Sequence, residues 1–336
     1  MTDPNPSVAA PPGAVISLSL DIDNQWAYMR THGDAGWEEF PTYLEPLFDT
    51  VLPWLERERT RITFFVVGKD ASLDANRAAF RRLGASGHEI GNHSFLHEQW
   101  LHLYSAEDLD RDLGAAEEHI EASTGHRPRG FRGPGFSLSG ATLDVLARRG
   151  YRYDASTFPT FLGPLARLYY FWGARNLSAE ERSKRSQLFG TLADGLRPLA
   201  PYLWQLDARE DLVEIPVTTM PLTRAPFHMS YLLYLSRYSK IVALAYLELA
   251  LALCRVAGVE PSFLLHPLDF LGCDQVAGLR FFPGMDLTTA TKLEFVARAM
   301  TRIRRNFTPI TMDEHAARAL SRASSLRRIR FPGGTA

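Results

Sequence analysis

The chain has 336 residues, 46% of them hydrophobic and 22% charged, an ordinary globular composition with enough material for a full core. A formal net charge of −1 argues against a dedicated nucleic-acid binder. Two cysteines, Cys254 and Cys273, cannot staple a fold of this size, which excludes a disulfide scaffold and fits a reducing compartment.

Met1 to Gly13 carries prolines and polar residues, with no basic start and no apolar run. It reads as a disordered lead-in rather than a secretory signal, so a cytoplasmic location is expected. Short apolar runs then alternate with helical patterns. Strands are expected at Val15–Leu20, Ile62–Val67, Glu89–Asn92, Gly130–Arg132, Tyr151–Asp154, Val213–Thr218, Phe263–His266 and Phe307–Thr311. Helices are expected at about 38–57, 71–84, 105–123, 139–149, 229–257 and 286–305. Such alternation predicts a parallel sheet with helical crossovers. Ser105 before Asp108 and Ser178 before Glu181 have capping-box spacing, and Gly84, Gly125 and Gly150 stand where helices should stop.

Three segments depart from this rhythm. Phe158 to Asp211 is too long for a connection and opens on an aromatic cluster (Phe161, Tyr169, Tyr170, Phe171, Trp172), so it reads as an insertion on the rim, 158–211. Ile241 to Cys254 is apolar but contains Glu248 and is too short to span a bilayer; it predicts a mostly buried helix with a narrow wet edge. From Ile303 onward the chain is rich in arginine (Arg318, Arg322, Arg327, Arg328, Arg330), which reads as a solvated tail, with contact to an anionic surface as the alternative.

Candidate chemistry begins in the first strand. Alternation puts Ser17, Ser19, Asp21 and Asp23 on one face, and two carboxylates so placed are unfavourable unless a cation or a proton intervenes. Strand-end aspartates also cap turns, so the pair alone decides nothing. His93 and His97 are four apart, a spacing that lets two imidazoles on a helical turn reach one ion. With Asp23 they form a set of one carboxylate and two histidines that leaves positions open. Zinc suits such a set, and iron or another divalent ion remains open. Arg132, Asp154 and His266 end further strands, and in a β/α barrel strand ends converge on the functional face.

These residues, taken in order, resemble the polysaccharide deacetylases of the NodB-homology type, carbohydrate esterase family 4. The matches are Ser19-Leu20-Asp21-Ile22-Asp23, Thr63-Phe64-Phe65-Val66-Val67-Gly68, Gly87-His88-Glu89-Ile90-Gly91-Asn92-His93-Ser94 with His97, Arg132-Gly133-Pro134-Gly135, Asp154-Ala155-Ser156 and Leu264-Leu265-His266-Pro267. The resemblance implies one distorted (β/α) barrel of seven to eight strands over 14–335. It implies that Asp23, His93 and His97 hold a divalent metal, most simply zinc, and that Asp21 is the general base. Arg132 would orient Asp21 and keep it ionised, His266 would be the general acid with Asp154 as its charged partner, and main-chain N–H groups near Gly135 would help hold the oxyanion. Three features depart from the common family pattern: Ile22 separates two aspartates that are usually adjacent, a variant the family also contains, Gly135 stands where an aromatic residue usually follows the proline, and Phe158 is the nearest substitute for a missing tryptophan.

The function so implied is metal-dependent hydrolysis of an N-acyl group, acetyl or formyl, from an amino sugar or related amide. Without an export signal, weight moves toward a lipid-linked or soluble sugar, with peripheral contact at the inner membrane face and no spanning segment. A non-catalytic glycan-binding barrel is the alternative. A non-haem iron oxygenase uses the same triad, but Arg132, Asp154 and His266 have no role in that chemistry.

Overall fold

The computed structural model describes residues 13–162, 192–206 and 212–332. Strand β1, Val15–Asp21, is buried along its whole length, so both of its faces are covered. Ile16, Leu18 and Leu20 join the main apolar core beneath the helices, while Ser17, Ser19 and Asp21 point the other way, as the alternation predicts. The remaining strands are β2 (Thr63–Val66), β3 (Glu89–Asn92), β4 (Gly130–Phe131), β5 (Tyr153–Asp154), β6 (Tyr202–Trp204), β7 (Leu212–Glu214), β8 (Ser262–Leu265), β9 (Thr308–Ile310) and β10 (Arg328–Ile329). They lie in the order β10-β6-β7-β5-β4-β3-β2-β1-β8, and β9 pairs with the start of β1. All pairs are parallel except β6 with β7.

Ten helices accompany the sheet: α1 (Gln25–His32), α2 (Leu44–Arg57), α3 (Gly68–Ser72), α4 (Arg77–Ala85), α5 (Ala106–Thr124), α6 (Gly140–Arg148), α7 (Met229–Ser236), α8 (Lys240–Val256), α9 (Thr289–Asn306) and α10 (Met312–Leu320), counted among the described residues. Ser105 caps α5 through the N–H of Asp108, and Gly125 ends it at φ 78°. Gly84 lies inside α4 instead of ending it. A β-carbon there would come within 2.0 Å of the Thr124 carbonyl oxygen, so its smallness admits close packing against α5.

The sheet is strongly curled, a half-barrel rather than a closed one. On a flat sheet β4 and β1, with two strands between them, would lie about 14 Å apart, more than an arginine and an aspartate can bridge. Yet Arg132, just past β4, places Nη1 2.6 Å from Asp21 Oδ1 at the end of β1. Among the described residues the strand path ends at β10 and β8, where the Thr218 N–H donates to the Ser262 carbonyl, and has ten strands where seven to eight are expected. The additions are β6 and β10, of two or three residues, too short to show a period in sequence.

The arginine-rich end is not a solvated tail up to residue 332. Thr311 and Glu314 form a capping box that starts α10, and Met312, Ala316 and Ala319 pack inside the curl against Phe65, Tyr153, Leu203, Val213 and Ile215. His315 of α10 lies 2.9 Å from Ser17 Oγ. Arg318 pairs with Glu260 at 2.7 Å, Arg304 pairs with Glu58, and β10 extends the sheet from β6. Helix α8 buries Leu244, Leu247, Leu251 and Cys254, but its outer face is broader than a narrow edge, with Ile241 and Val256 more than 80% exposed. No described helix is long and apolar enough to cross a membrane. Ser178–Glu181 and Tyr169 to Trp172 lie outside the described residues.

Candidate active site

Because the strands run parallel, their carboxyl ends share one edge, and the expected residues cluster there from β1, β3, β4 and β8. Asp21 ends β1, and the chain turns out of the strand to present Asp23. Asp23 Oδ1 lies 3.0 Å from His97 Nε2 and 3.4 Å from His93 Nε2, and one donor atom from each of the three lies within 4.8 Å of the others. Burial alone would raise the Asp23 carboxyl; His97 and His93 outweigh it and hold the group well below the usual carboxylate range. Burial also disfavours charge on His93, but Asp21, Asp23 and the Arg132 carbonyl prevail and push it up.

The histidines converge for a reason other than helical spacing. Residues 93–97 are an irregular loop in which Ser94 and His97 have positive φ, 63° and 52°. Its bends are pinned from outside. Ser94 N–H donates to Asn92 Oδ1 at 2.8 Å and Phe95 N–H to Asp112 Oδ1 at 3.0 Å, while Gly68 and Lys69 N–H groups reach the Ser94 and Phe95 carbonyls. Non-glycine residues hold a left-handed backbone only when their surroundings over-determine it.

The three donors fit a divalent ion. Four-coordinate zinc with bonds of ~2.0–2.1 Å sets ligand atoms about 3.3 Å apart, close to the two separations above. His93 Nδ1 lies 2.6 Å from the Arg132 carbonyl oxygen, which fixes the proton on Nδ1 and leaves Nε2 free to coordinate. The Tyr43 hydroxyl donates to the Asp23 carbonyl. Asn24, next in the chain, donates to the buried Asp70 at 2.8 Å, as does Trp26, and burial pushes Asp70 up to about 7.

Asp21 is held apart from that cluster by Arg132. The guanidinium is fully buried, with Nη1 2.8 Å from Ser19 Oγ, Nε 3.1 Å from the Ala155 carbonyl and its plane over Phe65. Past it the chain turns through Pro134–Phe136 with Gly135 at φ 59°. Phe136 and Ser137 donate to the Gly133 and Pro134 carbonyls, leaving the Gly135 N–H without an acceptor among the described residues. Phe136, one position after Gly135, is stacked on Phe158 at 4.8 Å; Phe158 adjoins His228, which adjoins His266.

His266 stands at the end of β8, but Asp154 is not its hydrogen-bond partner. His266 Nδ1 lies 3.1 Å from Ser230 Oγ, which donates to Asp269 Oδ1 at 2.7 Å; Asp269 Oδ2 accepts the His266 N–H at 2.7 Å. Asp154 is wholly buried and engaged elsewhere, taking a 2.5 Å bond from Ser156 Oγ and lying beside Glu214. Burial and the adjoining Asp154 push Glu214 well above the carboxylate range. Glu214 also accepts from Thr157 and from Trp204 Nε1. Sequence reasoning missed Ser230 and Asp269. Asp269, three residues after His266 and before a helical turn, had a capping-box spacing that could have revealed it. It also missed Tyr28, whose buried hydroxyl has no partner among the described residues. Burial, with Asp23, Asp269 and Asp21 as charged neighbours, keeps that hydroxyl protonated.

A family model for polysaccharide deacetylases matches residues 34–153. The chain is 28% identical over 210 residues to a peptidoglycan deacetylase of Helicobacter pylori, covering 60% of this chain and 64% of that one. It is 27% identical over 163 residues to a peptidoglycan deacetylase-like protein of Gibberella zeae, covering 47% and 46%. The chain thus spans about a third to just under two thirds of the length of the curated relatives it matches. Among solved structures, a Mycobacterium smegmatis protein described as a polysaccharide deacetylase superposes with a TM-score of 0.61 at 19% identity over 99% of both chains, which shows a shared fold. Residues 34–153 are thus similar to the polysaccharide deacetylases, and the chain shares the fold of the Mycobacterium smegmatis protein.

Proposed function

We propose that the chain is a metal-dependent hydrolase that removes an N-acyl group, acetyl or formyl, from an amino sugar of a glycan or of a lipid-linked or soluble sugar. One observation carries this reading: Asp23, His93 and His97 gather within 4.8 Å, while the neighbouring Asp21 is kept out of that set by the buried Arg132. Two carboxylates close together thereby acquire separate duties. Asp23 with the histidines would hold the ion, whose chemistry when bound is to polarise an acyl carbonyl and activate water. Asp21, oriented by Arg132 and Ser19, would take the proton from the attacking water. The free Gly135 N–H would donate to the carbonyl oxygen as negative charge develops on it. His266 would give a proton to the departing nitrogen, without which an amine leaves poorly. Phe136 and Phe158 offer an apolar wall beside His228 for the acyl group or a sugar face.

The experiment is release of free amine from N-acetylated chito-oligosaccharides, peptidoglycan fragments and lipid-linked N-acyl sugars, with metal content measured on the same samples. Amine release from one class that disappears on chelation and returns with zinc supports the proposal. Stoichiometric metal with tight glycan binding and no amine release would point instead to the non-catalytic barrel.

A further inference from the structure

We propose that Ser230 and Asp269, rather than Asp154, position His266 for proton donation in this protein. The inference rests on the deacylase reading above for its functional meaning, but its geometry stands independently. A serine hydroxyl has one proton. Ser230 Oγ lies 2.7 Å from Asp269 Oδ1, an oxygen that can only accept once the carboxyl is ionised, so the proton is spent there. The remaining contact, 3.1 Å to His266 Nδ1, then needs the hydrogen on the ring. His266 is thus held as the Nδ1–H form, with Nε2 left to carry the second proton toward a leaving amine.

Each partner is supplied locally. Ser230 sits in the first turn of α7, which follows His228, and Asp269 sits in the turn that follows β8. The His266 N–H closes the arrangement by donating to the second Asp269 oxygen at 2.7 Å, so backbone and ring of His266 are tied to one carboxylate. The charged and titratable groups around the ring are few. Burial pushes Asp269 up, while His266, Ser230, the His266 N–H and Lys292 oppose that rise. Lys292 of α9 stands behind Asp269 and donates to the Leu268 and Leu271 carbonyls; burial brings it down to about 8. His228 lies on the other side with its ring kept neutral by burial and by His266, and Tyr28 contributes a protonated phenol near Asp269. Asp154 makes no bond to Ser230, Asp269 or His266 among the described residues. One of its oxygens is taken by Ser156, and Glu214 adjoins it in the floor of the sheet.

The test uses the full-length, metal-loaded protein as wild type, Ser230→Ala, Ser230→Thr, Asp269→Asn and Asp154→Asn. Two readouts are taken: kcat and KM against pH for amine release, and the ¹⁵N imidazole shifts of His266, assigned by its absence in His266→Gln. Ser230→Ala should lower kcat ~10- to 100-fold with KM changed less than about threefold. It should also raise the Nε2–H tautomer of His266 at the expense of Nδ1–H, and Ser230→Thr should restore both. Asp269→Asn should move the alkaline limb of the profile to lower pH by about one unit, since a lost negative neighbour destabilises the imidazolium. Asp154→Asn should leave that limb in place. An alkaline limb that moves in Asp154→Asn but not in Asp269→Asn would overturn the proposal, as would an unchanged His266 tautomer in Ser230→Ala. Should Asp269→Asn fail to fold because its cap is lost, Ser230→Ala, which removes only a hydroxyl, still decides. A wild type with no deacylase activity would defeat the functional reading alone, because the tautomer experiment needs no turnover.

Discussion

Replacing Arg132 with methionine tests whether one buried ion pair holds Asp21 apart from Asp23, His93 and His97. The guanidinium is fully buried and Asp21 is 4% exposed, with 2.6 Å between Nη1 and Oδ1. At an effective dielectric near 20, unit charges ~3.5 Å apart attract by about 4–5 kcal/mol. Removing one partner of such a pair typically costs ~3–5 kcal/mol, because the other charge stays buried without compensation. Arg132→Met should therefore destabilise the fold by about 4 kcal/mol. In an Asp21→Asn background the same substitution should cost only ~1–2 kcal/mol, the share of the bonds to Ser19 and the Ala155 carbonyl and of the contact with Phe65. The assay is urea unfolding of the four proteins at pH 7.5, followed by tryptophan fluorescence and far-ultraviolet dichroism, whose transitions must coincide for the cycle to be read. Equal costs of Arg132→Met in both backgrounds would show that the arginine acts by filling space and not by pairing with Asp21.

Asp23→Ala, His93→Ala and His97→Ala should each lose bound zinc in a dialysis and elemental-analysis assay, while Asp21→Asn should keep the ion and lose turnover; equal metal loss in Asp21→Asn would mean the two aspartates exchange roles. His266→Ala should slow amide cleavage ~10²–10⁴-fold but an aryl ester far less, because a phenolate departs without a proton; equal losses on both substrates would remove His266 from proton donation. Burial holds His315 down at about 4, against ~6.5 in the unfolded chain, so the unfolded state binds more protons between those values. Its contribution is present above about pH 6.5 and is lost as pH falls toward 4, by about 3 kcal/mol in full. His88, also held down to about 4, acts in the same direction. Chemical denaturation from pH 4 to 8 should show a shallower acid loss in His315→Gln than in the wild type, and identical slopes would place the proton uptake elsewhere.

What sequence alone determined is the part of this protein governed by local pattern. The period-2 alternation of β1 sends Ser17, Ser19 and Asp21 to one face, and the structure finds all three there. Alternating strands and helices require a parallel sheet, and parallel strands put their carboxyl ends, hence Asp21, His93, Arg132 and His266, on one edge. What only the tertiary structure decided depends on contacts between segments distant in the chain. His97 meets His93 through left-handed turns pinned by Asn92, Asp112 and the start of α3, not through a helical period. The arginine-rich end looks solvated until the curl creates an interior for α10 to fill. The strands β6 and β10, two or three residues each, exist because they pair with one another and with β7. Asp154 and Asp269 both lie near strand ends and look alike in sequence, yet one takes a bond from Ser156 beside Glu214 and the other reaches His266 through Ser230. Which carboxylate serves which neighbour is set by how far the sheet curls and by where α7 begins, and neither is written in the spacing of residues along the chain.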